Sequence, residues 1–268
     1  MDSINNVMNS IAPVWGICSF DDIKDNILEC RAKLRLPAGA RSVAVFAFPY
    51  LLPDEKYEGL NISKYAVSSD YHDILSERLK EGTEILKEMY PGDDFVYFID
   101  NSPIPEVEAA CRAGVGVKGR NSLLITEKYG SFVFLGEIVT TLAIEHPNIT
   151  PGVCCGCNRC VEACPAGALI DGKIDTDRCL SHITQKKGEL SEEEKKYIRD
   201  SGCAWGCDIC QDVCPMNKAA DYTEFEKFLS TANASVNEDT PLEGRAYAWR
   251  GEKVIRRNLR ILRNDYED

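Results

Sequence analysis

Ten of the 13 cysteines in this chain fall between Cys154 and Cys214, and that crowding limits the fold more than any other feature. A disulfide framework spreads its bridges along the chain, whereas a metal site gathers its thiols. The first run reads Cys154-x2-Cys157-x2-Cys160-x3-Cys164-Pro165, the spacing that wraps [4Fe–4S] clusters. Three thiolates spaced two residues apart can hold one cubane along a tight loop. The fourth points away, the proline turns the chain, and in two-cluster proteins that fourth cysteine serves the other cluster. A second run follows, Cys207-x2-Cys210-x3-Cys214-Pro215, preceded by Cys203. The crossing rule assigns Cys154, Cys157, Cys160 and Cys214 to cluster 1. Cluster 2 receives Cys164, Cys207, Cys210 and either Cys179 or Cys203; spacing alone leaves that choice open. Cys155 is then a spare thiol. A pair of zinc ribbons is the competing reading, but zinc favours two separated CxxC pairs, and here each run ends in Cys-Pro.

About 150 residues precede the clusters, far more than a two-cluster module needs, so a second centre or substrate pocket is expected there. The boundaries read as an α/β domain over residues 1–150, a ferredoxin-like module over 151–218 and a C-terminal helical segment over 219–268 that packs back on the first domain. Ile4, Met8 and Ile11 recur at helical spacing, with Asp2 or Ser3 as N-cap. Ile23 and Ile27 suggest a helix over 20–34. Ser42 to Tyr50 is β-branched and aromatic, a buried strand. Leu75, Leu79 and Leu86 mark an amphipathic helix over 71–90, ended by Pro91-Gly92. Strands are expected at 95–99, 122–126 and 131–139, and short helices at 105–113 and 191–199. Strand and helix signals therefore alternate in a layered domain. Cys18, Cys30 and Cys111 read as buried small apolar residues, and residues 265–268 as a frayed tail.

No apolar run reaches the length of a membrane span, and the N-terminus lacks the basic and apolar regions of a secretory leader. A cytoplasmic protein is expected. Neither GxGxxG after a strand nor GxxxxGK[ST] occurs. The net charge of −12 opposes broad nucleic-acid affinity. A local exception is the helix expected over 252–264: from Arg245 to Arg263 seven basic residues meet one acidic one, with Arg256, Arg260 and Arg263 as a stripe that could contact phosphate.

Asp100 follows the apolar run FVYFI and precedes Asn-Ser-Pro. A carboxylate at the end of a strand often lines a cleft, where burial would raise its pKa and let it hold a proton; the alternative is an Asx turn leading into Pro103. His72 reads as a helix-surface residue.

The segments IDNSPIPEVEAACRAGVGVKGRNSLLI (99–125), GSFVFLGEI (130–138), CGCNRCVEACPAGAL (155–169) and GCDICQDVCPMNK (206–218) resemble the epoxyqueuosine reductase family, relatives of the reductive dehalogenases. The resemblance spans residues 38–263. It implies an α+β fold, a nitroreductase-like cobalamin domain joined to a bacterial-type two-[4Fe–4S] ferredoxin module. It also implies reduction of epoxyqueuosine in tRNA to queuosine, with electrons passing from a low-potential donor of ferredoxin or flavodoxin type through the clusters to cobalt. Asp100 matches the family's proton-donating aspartate. Cys179, in Cys-Leu-Ser, matches its remaining cluster ligand in preference to Cys203. The cobalamin would be base-off with no histidine beneath cobalt, in keeping with an Asp70-x-His72 that lacks the glycine of the DxHxxG box. Asp100, Asn121, Leu135, Gly136, Ser181, Gly206 and Asp208 are the implied corrin contacts. The chain departs from the family at Val117-Lys118, where a Trp-containing pair is usual, and in lacking the C-terminal helical repeats that help to hold tRNA. A cobalamin-free electron-transfer protein is the alternative. A dehalogenase is disfavoured by the absence of a tyrosine donor motif and an export signal.

Overall fold

The computed structural model describes residues 2–264. They group into two compact units. The first comprises the chain up to Pro49, His72–Gly119 and Leu123–Cys154; the second comprises Tyr50–Tyr71, Arg120–Ser122 and the chain from Cys155 onward.

In the first unit, helix α1 (Asp2–Ile11) leads into β1 (Val14–Ser19) and β2 (Ser42–Pro49), followed by α2 (Tyr71–Met89), β3 (Phe95–Phe98), α3 (Glu106–Arg112), the short pair β4 (Val117–Lys118) and β5 (Leu124–Ile125), and β6 (Val133–Thr140). Asp2 and Ser3 are already helical, so neither is the N-cap. The main sheet has the order β1-β2-β6-β3 with every pair antiparallel. Strand β2 is buried along its whole length because both faces are covered. Val43, Val45 and Ala47 pack with Ala109, Ala110 and Cys111 of α3. On the other face, β6 presents Gly136, where an added Cβ would stand 2.7 Å from Leu79 of α2. Helix α3 seats closely on β1: a Cβ on Gly16 would lie 2.0 Å from the Ala113 carbonyl oxygen. The residue following α3 therefore demands glycine on the strand.

The helix expected over 20–34 is instead three 3-10 turns, Phe20–Asp22, Lys24–Asn26 and Arg31–Arg35. Tertiary bonds outweigh the helical ladder there. The Leu28 N–H donates to the Pro103 carbonyl and Asn26 donates to Glu108, and of the two periodic isoleucines only Ile23 is fully buried. Cys18 and Cys111 are buried as expected, but Cys30 is half-buried and its thiol faces the Asn101 carbonyl at 3.6 Å.

The second unit carries α4 (Arg159–Ala163), the hairpin β7 (Leu169–Ile170) and β8 (Lys173–Ile174), α5 (Leu180–Ile183), α6 (Glu192–Ser201), α7 (Ile209–Asp212), α8 (Glu226–Ser230) and α9 (Glu252–Arg263). Helix α6 starts with a reciprocal capping box between Ser191 and Glu194 and stops at Gly202 in the left-handed region. Helices α4 and α7, one in each cysteine run, pack together. Within this unit the C-terminal segment bonds to residues 51–70, where the Thr223 N–H donates to the Leu51 carbonyl, the Asn233 N–H to the Val67 carbonyl and the Asp70 N–H to the Gly244 carbonyl; α9 packs on α6, and Ile261 joins Leu180, Ile183, Leu190 and Ile198 in one apolar cluster.

The fixed point of α9 is Asn258, fully buried, whose amide donates to the carbonyls of Thr184 (2.6 Å) and Ala204 (2.8 Å). Replacing Asn258 with alanine strands both acceptors. A loss of about 2–3 kcal/mol is expected, read as a lower denaturant midpoint at unchanged slope.

The tail at 265–268 lies outside the described residues. Among the described residues no helix is long and apolar enough to cross a membrane.

Candidate active site and iron–sulfur ligands

Nine of the ten clustered thiols lie in the second unit. Burial pushes the Cys207 thiol up to about 12, and the nearby Asp208, Cys179 and Cys164 add to the effect. Burial also pushes Cys210 up to about 12, with Cys207, Cys179, Asp208 and Cys160 as further causes. Cys214 is raised by burial and then by Cys155 and Cys157 of the opposite run. Sulfurs that raise one another in this way lie in mutual range. Cys207 has Cys164, Cys179 and Cys203 in range, Cys210 has Cys160 and Cys179, and Cys214 has Cys155 and Cys157. Cys203 is occupied otherwise: its thiol donates to the carbonyls of Trp205 (3.2 Å) and Gly206 (3.5 Å), and burial pushes it well above its ordinary value. Cys155 is exposed. Cys154 lies outside the second unit. It ends the first unit, and its N–H donates to the Lys118 carbonyl.

The loop before Cys207 is built on glycine. Gly206 has φ +77, and a Cβ there would lie 2.4 Å from Ser63. Trp205 is fully buried and donates to the Tyr65 hydroxyl at 2.8 Å. Asp208 accepts from the Ser63 hydroxyl and from the Lys64 N–H at 2.7 Å. Gly206 and Asp208 therefore tie the cysteine loop to residues 63–65 of the same unit, and the Asp208 carboxylate is consumed by that task. Ser181 differs. Its carbonyl accepts from Thr184 and Gln185, while its half-buried hydroxyl has no hydrogen-bond partner among the described residues. Asn121 is buried. In the first unit Leu135 is partly buried against the core and Gly136 lies under Leu79 and Phe48.

Asp100 lies two residues beyond the end of β3, at φ +43, and Asn101 follows at φ +30. Two consecutive non-glycine residues in the left-handed region store strain of order 1 kcal/mol each, a pattern that collects at functional sites. The turn into Pro103 is made by Ser102, whose hydroxyl accepts from the Ile104 N–H at 3.1 Å. The Asp100 carboxylate instead faces His72 Nε2 at 3.3 Å, both side chains being about half exposed. His72 is on the surface of α2 as expected, but the loop brings it to the aspartate.

The burial expected at Asp100 is found at two other carboxyls. Glu137, in the centre of β6, is fully buried, and neither of its oxygens has a hydrogen-bond partner. Burial pushes its pKa well up, and the nearby Glu106 and Asp100 push it further. Glu106, the first residue of α3, is raised to about 8 by burial and then by Asp100. Sequence reasoning passed over both residues. The signal was a lone glutamate inside the apolar strand VFLGEIVT.

The basic stripe of α9 is locally paired. Arg256 binds Glu252 at 3.1 Å and the Asn237 carbonyl at 2.8 Å. Arg260 and Arg263 both reach Glu238. The Arg260 side chain stays 62% exposed and that of Arg263 49%.

The description "4Fe-4S double cluster binding domain" matches residues 153–217, and "Epoxyqueuosine reductase QueG, DUF1730" matches residues 31–101. A curated epoxyqueuosine reductase of Synechocystis sp. is 35% identical over 205 residues, covering 72% of this chain and 70% of that protein. The crystal structure of an epoxyqueuosine reductase with an epoxyqueuosine-modified tRNA-Tyr stem loop superimposes with a TM-score of 0.82 at 26% identity, over 98% of this chain and 80% of that one. A Bacillus subtilis epoxyqueuosine reductase, solved with its catalytic aspartate loop swung out of the active site, gives 0.79 at 27% identity, over 98% and 81%. The chain spans 61%, 66% and 55% of the length of three further curated relatives. Mixed helix and sheet, a double-cluster cysteine module and these similarities agree: the chain belongs to the epoxyqueuosine reductase family.

Proposed function

We propose that this protein reduces epoxyqueuosine in tRNA to queuosine in the cytoplasm, drawing electrons from a low-potential donor of ferredoxin or flavodoxin type. The reaction takes two electrons and two protons: both C–O bonds of the epoxide break, a carbon–carbon double bond forms and the oxygen leaves as water. The observation that carries the reading is the strained, half-exposed Asp100 beside His72 in a chain of this family.

The donor set fits two cubanes. Cys154, Cys157, Cys160 and Cys214 would hold one, and Cys164, Cys179, Cys207 and Cys210 the other, with Cys203 and Cys155 outside the ligand set. Soft thiolates without histidine or carboxylate partners suit iron–sulfur clusters. The unpartnered Ser181 hydroxyl, two residues past Cys179, fits a corrin edge, and Asn121 is a second contact; Gly206, Asp208 and Gly136 are spent on packing and loop geometry. When bound, the clusters would store and pass single electrons at low potential, and a base-off cobalamin would supply a strongly reducing, nucleophilic centre. The protein's own part is acid chemistry: Asp100 would hold a proton at its carboxyl and give it to the departing epoxide oxygen, with His72 fixing the orientation of that carboxyl.

Titrating the anaerobically reconstituted protein with cobalamin tests the cofactor assignment. Stoichiometric uptake with a base-off absorption spectrum is expected. Intact clusters without any uptake would leave an electron carrier.

A further inference from the structure

Asp100 and Asn101 sit at φ +43 and +30, and non-glycine residues stay in that region only where their surroundings over-determine it. The bond from the Ile104 N–H to the Ser102 hydroxyl shapes the turn beyond them. The carbonyls of Tyr97, Asn101 and Pro103 are bonded from a distant part of the chain, the 3-10 turns between Lys24 and Arg35. Arg35 Nη2 donates to the Tyr97 carbonyl at 2.8 Å, and its guanidinium lies 4.8 Å from the centroid of the Phe98 ring. The Cys30 thiol meets the Asn101 carbonyl at 3.6 Å. The Leu28 N–H donates to the Pro103 carbonyl at 2.8 Å. Farther on, the Asn26 amide donates to Glu108 of α3 at 2.9 Å. An α-helix over 20–34 would spend the Leu28 N–H on the carbonyl four residues back; the break between the 3-10 turns frees it for the loop. These turns are themselves seated on the core. Ile23 is fully buried, and Ile27, Ala32 and Leu36 pack against the cluster that holds Phe98, Ile104 and Ala109.

We propose that residues 26–35 form a brace that holds the Asp100 carboxyl in its working position, with Cys30 and Arg35 as positioning residues; this rests on the reductase reading above. Both act through the backbone of the loop, and neither takes part in the chemistry. Once the ties are cut, Asp100 and Asn101 relax toward ordinary negative φ and carry the carboxyl away. Proton delivery is sensitive to that motion, because misplacing a reacting group by about 1 Å can cost about 10²-fold in rate. The brace also gives a task to Cys30, which is half-buried where Cys18 and Cys111 are buried.

The test compares wild type, Cys30→Val, Arg35→Met and the double variant, all cluster-loaded. Valine removes the thiol donor and suits the extended backbone of residue 30, at φ −148 and ψ 166. Methionine keeps an unbranched stem and removes the guanidinium. Hydrogen–deuterium exchange, read by mass spectrometry, follows the peptide spanning residues 97–104. Its exchange is expected to be faster in each variant and fastest in the double, while peptides from β2 and β6 exchange as in wild type. On epoxyqueuosine-modified tRNA, kcat is expected to fall roughly tenfold in the double variant with KM unchanged. Cys30→Ser, which keeps a donor, should lie between Cys30→Val and wild type. In an Asp100→Asn background the double variant should cause no further fall, because residues that act through one group are not additive. Wild-type exchange of residues 97–104 in the double variant would overturn the brace. So would a fall of the same size in the Asp100→Asn background. A wild type inactive on the modified tRNA would overturn the functional reading instead, while the exchange data would still decide whether these residues hold the loop.

Discussion

Replacing Asp100 with alanine is expected to lower turnover by about 10²–10⁴-fold, the usual worth of a general acid, while iron content and cobalamin uptake stay at wild-type levels. The side chain is about half exposed and faces His72 at 3.3 Å, so its removal leaves no buried cavity. Alanine at φ +43 does add local backbone strain, because the left-handed region suits aspartate and asparagine better than other non-glycine residues. Asp100→Asn is therefore the cleaner variant. It keeps the shape, the tolerance of left-handed backbone and a hydrogen-bonding group toward His72, and it removes only the acid. Loss of turnover in both variants with an unchanged thermal midpoint assigns the effect to the proton. Full turnover in Asp100→Asn would remove this residue from the chemistry.

The second large effect concerns cluster loading. Cys179→Ser is expected to lower iron content by about half and to abolish the paramagnetic signal of one reduced cluster, because a cubane needs four thiolates. Cys203→Ser is expected to retain both clusters. The contrast is sharp because the two cysteines compete for one role and their surroundings differ. Both lie in range of Cys207, but the Cys203 thiol donates to the carbonyls of Trp205 and Gly206, and Cys179 is also in range of Cys210. A serine hydroxyl can donate to the same two carbonyls, so the Cys203 change is also mild for folding. The reverse outcome, iron lost with Cys203 and kept with Cys179, would reassign the fourth ligand of cluster 2.

What the sequence disclosed depended on how local each signal was. The cysteine runs were legible because their chemistry is written in consecutive spacing, and Cys203 and Cys179 were separable only through a resemblance. Strand β2 and helix α2 were legible because burial imposes a period. The 20–34 segment misled for the converse reason: Ile23 and Ile27 have helical spacing, but the Leu28 N–H finds its acceptor on Pro103, 75 positions later in the chain. Asp100 was visible as a carboxylate at a strand end, but its meeting with His72 is a tertiary event. Glu137 was visible only as a lone carboxyl in an apolar strand; that the strand buries it completely is a tertiary fact. The basic stripe of α9 was legible in the spacing of its arginines, whereas the approach of Glu238 to Arg260 and Arg263 is a tertiary event that the spacing does not show.

The direct test of the account is mass spectrometry of nucleosides from epoxyqueuosine-modified tRNA after anaerobic incubation with the cluster-loaded protein, cobalamin and a strong reductant. The account predicts conversion of epoxyqueuosine to queuosine, a loss of one oxygen atom that requires cobalamin and fails in Asp100→Asn. Unchanged epoxyqueuosine with both clusters and cobalamin in place would contradict it.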